Sequence, residues 1–511
     1  MTSRQPPPES PGPLRKRLEA RPAPRWYGEA KLGVFVHWGL YSIPAFAERT
    51  DGDFTTFMAE LTAGKDTKGR TPYAEWYLNA LRVPGSRTSR FHERNYGKGS
   101  SYFDFARRFD SSAAEVDVDD WARFFASVGA GYVVLVARHL DGFPLWPTAV
   151  TNPRMPPDYR LSRDFVGDLT RAVRARGLRM GLYYGGGVDW TFSGRPIRTM
   201  TDLMRQQSAG AEYARYAAAQ WRELIDAYHP AILWNDLGWP AEVDPHQIFA
   251  HYYDVVADGL VNDRWSRTRM PANRVVRALY LLFVSSILKV MSRVGRPLPQ
   301  RPPAVHHDIE THEYVVPDVA PQSLWELTRG LGKSFGYDAQ ETAADTLSGT
   351  ELVHLLVDVV ARGGNLLVNV GPDGGGQIPE IQQRPLRELG DWLRTNGQAI
   401  YATQPWQQRP TTTSSSGHQV RYTRKNKTLY AIVLSDRLPD NLAIEDLALP
   451  PGSRIRTLNG DADLAWTQVG NDVLINTAQQ SSGPHAQVLA ISMSSAPGDL
   501  REGPPGVATG S

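Results

Sequence analysis

The sequence predicts an α/β protein in which a (β/α)8-like barrel is followed by a small antiparallel β-sandwich domain. From about residue 24 to residue 400, short apolar runs alternate with segments of helical period, as in proteins with a parallel sheet. After about residue 400, short strands are separated by turn residues, which is typical of a sandwich. The length of 511 residues is enough for two or three domains.

Eight apolar runs are the candidate barrel strands, and clear helical patterns fall between several of them. Eight parallel strands with interposed helices predict a (β/α)8 barrel or a distorted version of one. The predicted helices include residues 163–177, 208–228 and 349–364. The predicted strands are residues 33–39, 132–139, 180–185, 231–236, 260–265, 312–316, 333–337 and 365–371.

The remaining segments complete the predicted domain organisation. Residues 1–23 and 496–511 are rich in Pro, Gly or charged residues, so both are expected to be flexible. Residues 24–400 form the barrel domain, and residues 401–495 form the sandwich after a boundary rich in Pro, Thr and Ser. The start of the chain has Pro and charge where a signal peptide needs an apolar segment, so a cytoplasmic location is expected.

Composition excludes several classes of chemistry. The chain has no Cys, which excludes disulfides, thiolate metal sites and a cysteine nucleophile. Residues 264–307 hold nine Arg or Lys and no Asp or Glu, although the net charge of the whole chain is only +2. The basic character is therefore local, and a general affinity for nucleic acid is not indicated.

Polar residues end several of the predicted strands, and in a barrel they would converge at the C-terminal face. Asp236 and Glu313 are the carboxyl groups among them. Glycoside hydrolysis needs two such groups at one site. From spacing alone, however, a turn or helix-capping role for Asp236 and a surface ion pair for Glu313 are favoured. The polar residues at these strand ends are His37, His139, Tyr183, Asp236, Arg264 and Glu313.

Nine short segments occur in an order that resembles the α-L-fucosidases of glycoside hydrolase family 29, over about residues 24–400. Each segment alone is a weak signal, but nine of them in order at comparable spacing form a strong one. They are FVHWGLYSIPAF, PYAEWY, RHLDGF, GLYYGGGVDW, ILWNDLGWP, VNDRW, THEY, SFGYD and GGNLLVNVGPDGGGQIP.

The resemblance implies a retaining, exo-acting α-L-fucosidase that releases terminal α-L-fucose from a fucosylated glycan or glycoconjugate. It implies a covalent fucosyl-enzyme on Asp236, with Glu313 as the acid/base and with no cofactor or metal. Tyr184 is the alternative to Tyr183 as the inward residue, since adjacent strand positions face opposite ways. The implied substrate-binding residues are His37, Trp76, His139, Tyr183, Trp234, Arg264 and Phe335.

The sequence departs from the family pattern at two places. Leu140 follows His139 where the family has a second histidine, and a leucine side chain can neither donate nor accept a hydrogen bond. The loop ahead of PYAEWY lacks a tryptophan, and either Phe54 or Phe57 is a candidate to fill its space.

Residues 266–305 form an insert where the family has a short connection. Its core, residues 273–296, predicts a basic amphipathic helix, with the basic and apolar residues on opposite sides. Its uncharged run is too short to span a bilayer. The helix is expected to pack on the barrel or on a second subunit, to contact an anionic membrane surface or a hydrophobic aglycone, or to be partly disordered. Because it joins the strands of Arg264 and Glu313, it is expected to shape leaving-group preference.

Other functions are less well supported. His312 and Glu313 do not extend to HExxH, since position 316 is Val, so a zinc site is not expected. The glycine stretches lack the order of a P-loop or a dinucleotide-binding turn. Two alternatives to a fucosidase stay open: a non-catalytic fucose-binding protein, suggested by Leu140, and a glycosidase for a related sugar such as an α-galactoside.

Overall fold

The structure is a computed structural model of the chain, and its described residues form two compact units. The first unit comprises Met1–Arg25, Leu32–Thr346 and Leu367–Gln383, and the second comprises the remaining segments. The described residues are 11–49, 54–207, 210–271, 273–293, 305–406, 411–414, 417–458, 460, 462–478, 480 and 483–492.

Eight parallel strands form one sheet that nearly closes into a barrel, which confirms the predicted fold class. The hydrogen-bonded order is β5-β4-β3-β2-β1-β8-β7-β6, and a parallel bridge between Asn262 and Ile309 joins the two edges. The strands are β1 Leu32–Val36, β2 Tyr132–Arg138, β3 Arg179–Tyr184, β4 Ile232–Asn235, β5 Leu260–Val261, β6 Ile309–Glu313, β7 Leu324–Gly330 and β8 Asn365–Val370.

Strand β5 has only two residues, because after Val261 the side chain of Asn262 forms the hydrogen bonds to Asn235 of β4. The Asn262 amide accepts from the backbone N–H of Asn235 at 3.0 Å and donates to the Asn235 carbonyl at 2.9 Å. These bonds satisfy backbone groups of β4 that would otherwise be buried without partners. The amide thereby extends the β4 to β5 pairing to the edge where the site lies.

The three helices predicted with the barrel strands are present, as α8, α10 and α13. For example, α8 begins after Asp164, whose carboxylate accepts from the Gly167 N–H at 2.9 Å. The helices are α1 Pro11–Glu19, α2 Arg25–Ala30, α3 Phe54–Thr62, α4 Tyr77–Leu81, α5 Arg87–Tyr96, α6 Phe105–Ala114, α7 Val118–Ser127, α8 Phe165–Ala175, α9 Met200–Gln206, α10 Ala211–Tyr228, α11 His246–Val255, α12 Arg274–Arg293, α13 Gly349–Ala361 and α14 Glu380–Asn396.

The prediction of a strand at residues 333–337 is wrong, because this segment is a loop and β7 lies earlier in the chain. Buried Glu326 and Thr328 interrupt the apolar pattern of β7 and hide it from sequence analysis. The loop is held by carboxylates, since the N–H groups of Lys333 and Ser334 both donate to Glu341.

The N-terminal segment is more ordered than its composition indicates. Residues 1–23 are predicted to be flexible, but α1 begins at residue 11 and buries Leu14 and Leu18. Arg21 donates to the carbonyls of Ala257 and Gly259 at 2.9 and 3.2 Å. Residues 1–10 and the predicted tail at 496–511 lie outside the described residues.

The second unit contains the predicted sandwich of antiparallel strands. Strands β9 to β12, β14 and β17 form one sheet, and β13, β15 and β16 form the other. Alternate side chains of both sheets, such as Val420, Leu442 and Ile475, share one apolar core. The strands are β9 Gln404–Pro405, β10 Thr411–Thr413, β11 Gln419–Lys425, β12 Thr428–Val433, β13 Asn441–Ile444, β14 Arg454–Thr457, β15 Trp466–Val469, β16 Asp472–Asn476 and β17 Gln487–Ser492.

Candidate active site

The C-terminal ends of the barrel strands bring the predicted site residues together. Each of the strands supplies a side chain at its end or in the loop that follows, as expected for an active site of this fold. In strand order from β1 to β8, these residues are His37, His139, Tyr183, Asp236, Arg264, Glu313, Phe335 and Asn369.

Asp236 lies directly after β4, and both of its carboxylate oxygens have partners. Oδ2 accepts a hydrogen bond from the Tyr183 hydroxyl at 3.0 Å, and Oδ1 accepts one from Nη1 of Arg264 at 3.0 Å. The side chain is still 18% exposed. Asp236 is therefore fixed in orientation but accessible to a ligand.

Glu313 is the last residue of β6, and it forms an ion pair with Nη2 of Arg264. The Nε of Arg264 donates to the Thr311 hydroxyl at 2.9 Å. Each side of the guanidinium group therefore has a partner, and a single cation links Asp236 to Glu313.

Arg264 remains charged although it is buried. Burial alone would lower its pKa, but the carboxylates of Glu313 and Asp236 outweigh that effect and raise the pKa above its ordinary value. Its Cζ lies 4.7 Å from the centroid of the Trp234 ring, where a cation–π contact adds to the attraction. A permanent positive charge is thus built in between the two carboxyl groups.

The tautomer of His37 follows from its neighbours. The Asn369 amide nitrogen donates to the Phe335 carbonyl at 2.7 Å, which turns its Oδ1 towards His37. That oxygen lies 2.6 Å from Nδ1 of His37, so Nδ1 carries the proton and Nε2 is an acceptor. Burial lowers the pKa of His37 to about 4, which keeps the ring neutral at pH 7.

His139, Tyr183 and Trp234 form an aromatic wall inside the barrel. The ring centroids of His139 and Tyr183 are 5.8 Å apart, and those of Tyr183 and Trp234 are 5.4 Å apart. Burial lowers the pKa of His139 well below its ordinary value. The Tyr184 hydroxyl instead donates to Gln220 of α10 at 2.9 Å. Of the two tyrosines, Tyr183 therefore faces the interior.

Phe335 and Trp76 lie on a second apolar surface of the site. The Phe335 ring centroid is 5.0 Å from that of His37, and both Phe335 and Trp76 pack on a cluster that contains Phe57 and Tyr73. Phe57 contacts Trp76 with ring centroids 6.3 Å apart. Phe57 is therefore part of the apolar surface beside Trp76, while the side chain of Phe54 lies outside the described residues.

Leu140 is buried beside the backbone that follows β3. Its Cδ2 would lie 2.7 Å from a Cβ placed on Gly185, so the side chain packs tightly on the backbone after β3. Its carbonyl accepts from the Trp190 N–H at 2.7 Å. At this position, packing replaces the polar contact that a histidine would offer.

Sequence analysis missed three residues that position the site. Asn369 orients His37, and Thr311 orients Arg264. The carboxyl group of Glu75 accepts from the Gly336 N–H at 2.8 Å and from the Ser334 hydroxyl at 3.3 Å, and so it fixes the loop of Phe335. Burial raises the pKa of Glu75 to about 7. The available signal was a polar residue within or beside an apolar run.

The backbone is left-handed immediately after each carboxylate. Leu237 has φ of 56° and Tyr314 has φ of 59°, and neither residue is glycine. Such conformations are uncommon for residues with a Cβ and cluster at functional sites. They turn the chain sharply at the ends of β4 and β6, which leaves Asp236 and Glu313 at the rim.

The histidines near Glu313 have partners other than a metal. His306 lies 2.8 Å from the Tyr253 hydroxyl, and His312 lies 3.0 Å from a carboxylate oxygen of Glu310. Within the part of the chain that the structure describes, no group of three or more His, Asp or Glu side chains is placed to hold a metal ion.

Comparison with known proteins identifies the family. A family model described as alpha-L-fucosidase matches residues 5–398. The chain belongs to the α-L-fucosidase family. The tissue α-L-fucosidase of Mus musculus is 30% identical over 463 residues, which cover 88% of this chain and 86% of the mouse protein. The α-L-fucosidase of Dictyostelium discoideum is 29% identical, with 84% and 81% covered.

Solved structures of the family share the fold. The α-fucosidase of Thermotoga maritima in complex with fucose is 37% identical, with a TM-score of 0.76 over 93% of this chain and 98% of that chain. The same enzyme in complex with a mechanism-based inhibitor gives a TM-score of 0.77. The chain is therefore a glycoside hydrolase with a barrel fold.

Proposed function

We propose that this chain is a retaining, exo-acting α-L-fucosidase that releases terminal α-L-fucose from fucosylated glycans or glycoconjugates. The observation that carries the proposal is the pair of carboxyl groups, Asp236 and Glu313, held by the single guanidinium of Arg264. Carboxyl groups that share one cation lie close together. A short separation is characteristic of retaining glycosidases, since inverting enzymes need room for a water molecule between the two groups.

In the first step, Glu313 reacts in its protonated form: Asp236 attacks the anomeric carbon while Glu313 donates its proton to the glycosidic oxygen. A bond forms between the carboxylate and the sugar, the glycosidic bond breaks, and the aglycone leaves as an alcohol. Tyr183 and Arg264 each bind one oxygen of Asp236, so the carboxylate enters the reaction already oriented.

In the second step, Glu313 accepts a proton from water, and the resulting hydroxide displaces Asp236 from the anomeric carbon. Each step inverts the configuration at that carbon, so the product retains it. Arg264 stays protonated throughout and offsets the negative charge as it passes between Glu313 and Asp236.

The proposed sugar contacts follow from the wall and the second apolar surface. The neutral rings of His37 and His139 can bond to hydroxyl groups, because a neutral imidazole has one donor and one acceptor. Phe335 is proposed to pack on the C5 methyl of fucose, since burial of a methyl group is favourable. Trp76, Tyr183 and Trp234 supply the aromatic faces.

Rescue by azide tests the proposed nucleophile. Asp236→Gly is expected to lose at least about 10³-fold in hydrolysis of an aryl α-L-fucoside. Added azide should restore turnover and give the β-fucosyl azide, because azide occupies the space of the carboxylate. As a matched control, any loss caused by Asp263→Gly should not respond to azide, since Asp263 accepts from Thr311 and has no reacting role.

Three outcomes would contradict the proposal. An α-fucosyl azide, or no rescue, would exclude Asp236 as the nucleophile. Faster hydrolysis of an aryl α-galactoside by the wild type would favour the related-sugar alternative over a fucosidase.

A further inference from the structure

Helix α12 of the insert presents an apolar face to solvent. Twelve large hydrophobic side chains are exposed among the described residues, and eight of them lie on this helix. Leu279 and Phe283 are 62% and 63% exposed. Contiguous apolar surface of this kind marks an interaction site in most soluble proteins. This outward face consists of Val275, Val276, Leu279, Tyr280, Leu282, Phe283, Ile287 and Val290.

The opposite face of α12 attaches the helix to the protein. Leu281 is buried, and Val284, Leu288 and Met291 are partly buried. The helix contacts α9, and the aliphatic stem of Lys289 lies against Gly64. At about 100° per residue, the outward face spans an arc of about 160° that points away from Leu281. A surface helix ordinarily turns its polar side outward, so α12 is unusual in exposing its more apolar side.

The outward face contains few polar groups that need water. The Ser286 hydroxyl, within the arc, donates to the Leu282 carbonyl at 2.9 Å. The other polar residues of the arc are Tyr280 at its edge and Arg293 at the last residue of the helix. The helical backbone satisfies its own hydrogen bonds. Burying this face in an apolar phase therefore carries a small desolvation cost.

The charge around the helix identifies the kind of partner. Residues 264–307 hold nine basic residues and no acidic ones. Lys289 is exposed beside one edge of the outward face, and Arg274 is exposed at the first residue of the helix. A second copy paired through the same face would bring two such basic stretches together, and like charges repel. An anionic bilayer surface has the complementary charge and also accepts apolar side chains.

We propose that α12 docks the protein on anionic lipid bilayers, with its outward face inserted at the level of the headgroups. The helix would lie in the plane of the interface, because no helix of the described residues is long and apolar enough to cross a membrane. The insert connects β5 to β6. Arg264 follows β5, and Glu313 is the last residue of β6. The docked segment would thus be the connection between two strands that carry residues of the candidate active site.

Co-sedimentation with vesicles tests the docking. The full chain should bind vesicles of phosphatidylcholine that contain phosphatidylglycerol, and should bind less to phosphatidylcholine alone and at high salt. The double variant Leu279→Glu/Phe283→Glu should bind at least about tenfold less, because each side chain loses its favourable burial. Arg274→Glu/Lys289→Glu should lose the preference for anionic vesicles.

Matched controls separate docking from general effects. Val469→Glu/Leu474→Glu replaces exposed apolar residues on β15 and β16, and it should bind vesicles like the wild type. Hydrolysis of an aryl α-L-fucoside, measured on every variant, should be unchanged. Because docking needs no catalysis, the hydrolysis assay tests the proposed function and the vesicle assay tests the docking, and either can fail without the other.

Two results would overturn the inference. One is wild-type protein that stays in the supernatant with anionic vesicles at low salt. The other is a wild-type dimer, seen by analytical ultracentrifugation, that Leu279→Glu/Phe283→Glu converts to a monomer, because the outward face would then bind a second copy.

Discussion

At the scale of single residues, Arg264 determines how the two proposed reacting groups face each other. Its guanidinium bonds to Asp236, pairs with Glu313, and is fixed on its remaining side by Thr311. A planar group bound on all sides has little freedom to rotate. The Thr311 hydroxyl therefore acts on the reaction through Arg264, as a positioning residue.

Thr311→Val tests this role, because it replaces only the hydroxyl by a methyl group. The variant leaves Nε of Arg264 without its acceptor, and the loss of a hydrogen bond to a charged group costs about 1.5 to 3 kcal/mol. We expect kcat/KM for an aryl α-L-fucoside to fall about 10- to 100-fold, mostly in kcat, because orientation and not sugar binding is affected.

Thr328→Val is the matched control for this prediction. Thr328 is also a buried threonine on a barrel strand, but its hydroxyl has no hydrogen-bond partner among the described residues. The same substitution there should change kcat/KM less than about twofold. Equal losses in the two variants would show that Thr311 has only a structural role.

Residue-level prediction from sequence reached the side chains at strand ends and stopped there. Asp236 and Glu313 could be named because their segments occur in a family order. Asn369 and Thr311 could not, since each acts through a bond to a residue far away in the chain. Such partners depend on which strands are neighbours in the barrel and on their register, and a local sequence pattern does not indicate either.

At the scale of elements, the glycine run after β3 sets the position of the loop that bears Asp236. A Cβ on Gly187 would lie 1.8 Å from the Leu237 carbonyl oxygen, and the Gly187 N–H donates to the Asp236 carbonyl at 3.0 Å. The two loops therefore touch through their backbones. Only a residue without a side chain permits this approach.

Gly187→Ala should separate the two loops and displace Asp236. A shift of about 1 Å at a reacting group can cost about 100-fold in rate, so we expect kcat/KM to fall by at least that factor. Gly194→Ala is the control, because a Cβ there would meet nothing within 4 Å. Steady-state kinetics with an aryl α-L-fucoside would measure both, and circular dichroism would check folding.

Near wild-type kinetics in Gly187→Ala would show that the loop bearing Asp236 adapts without cost. Loss of the folded circular dichroism spectrum would show that the contact supports the barrel as well as the site.

Prediction of elements failed where buried polar residues replace apolar ones. β7 contains Glu326, whose carboxylate accepts from Trp234 at 2.7 Å and from the Tyr132 hydroxyl at 3.0 Å. These partners come from other strands, so the sequence around Glu326 does not look like a buried strand. For α12, periodicity predicted the helix and its two sides. Which side faces solvent depends on packing against α9, and that was not visible.

At the scale of the whole molecule, buried ionisable groups make opposite contributions to stability. Burial raises the pKa of Glu75 and Glu341 to about 7, so these groups favour the folded state less as pH rises from their ordinary pKa of 4.5. Burial lowers the pKa of His37 to about 4 from 6.5, and its contribution is lost as pH falls through that range. The two effects oppose each other between about pH 4.5 and 6.5.

Glu75→Gln isolates one of these contributions. Between pH 4.5 and 7 the unfolded state of the wild type releases the proton of Glu75 while the folded state keeps it, so stability falls by about 1.4 kcal/mol per pH unit. Glutamine does not titrate. The free energy of unfolding of the variant should therefore rise relative to that of the wild type by about 2 to 3 kcal/mol between pH 5 and pH 7.5.

Urea unfolding at several pH values would measure this difference, and Glu115→Gln, at an exposed carboxyl, should leave it near zero. If the difference in free energy of unfolding between Glu75→Gln and wild type stays constant over this pH range, Glu75 ionises in the folded protein with its ordinary pKa. In that case the loop of Phe335 would be held by a charged carboxylate.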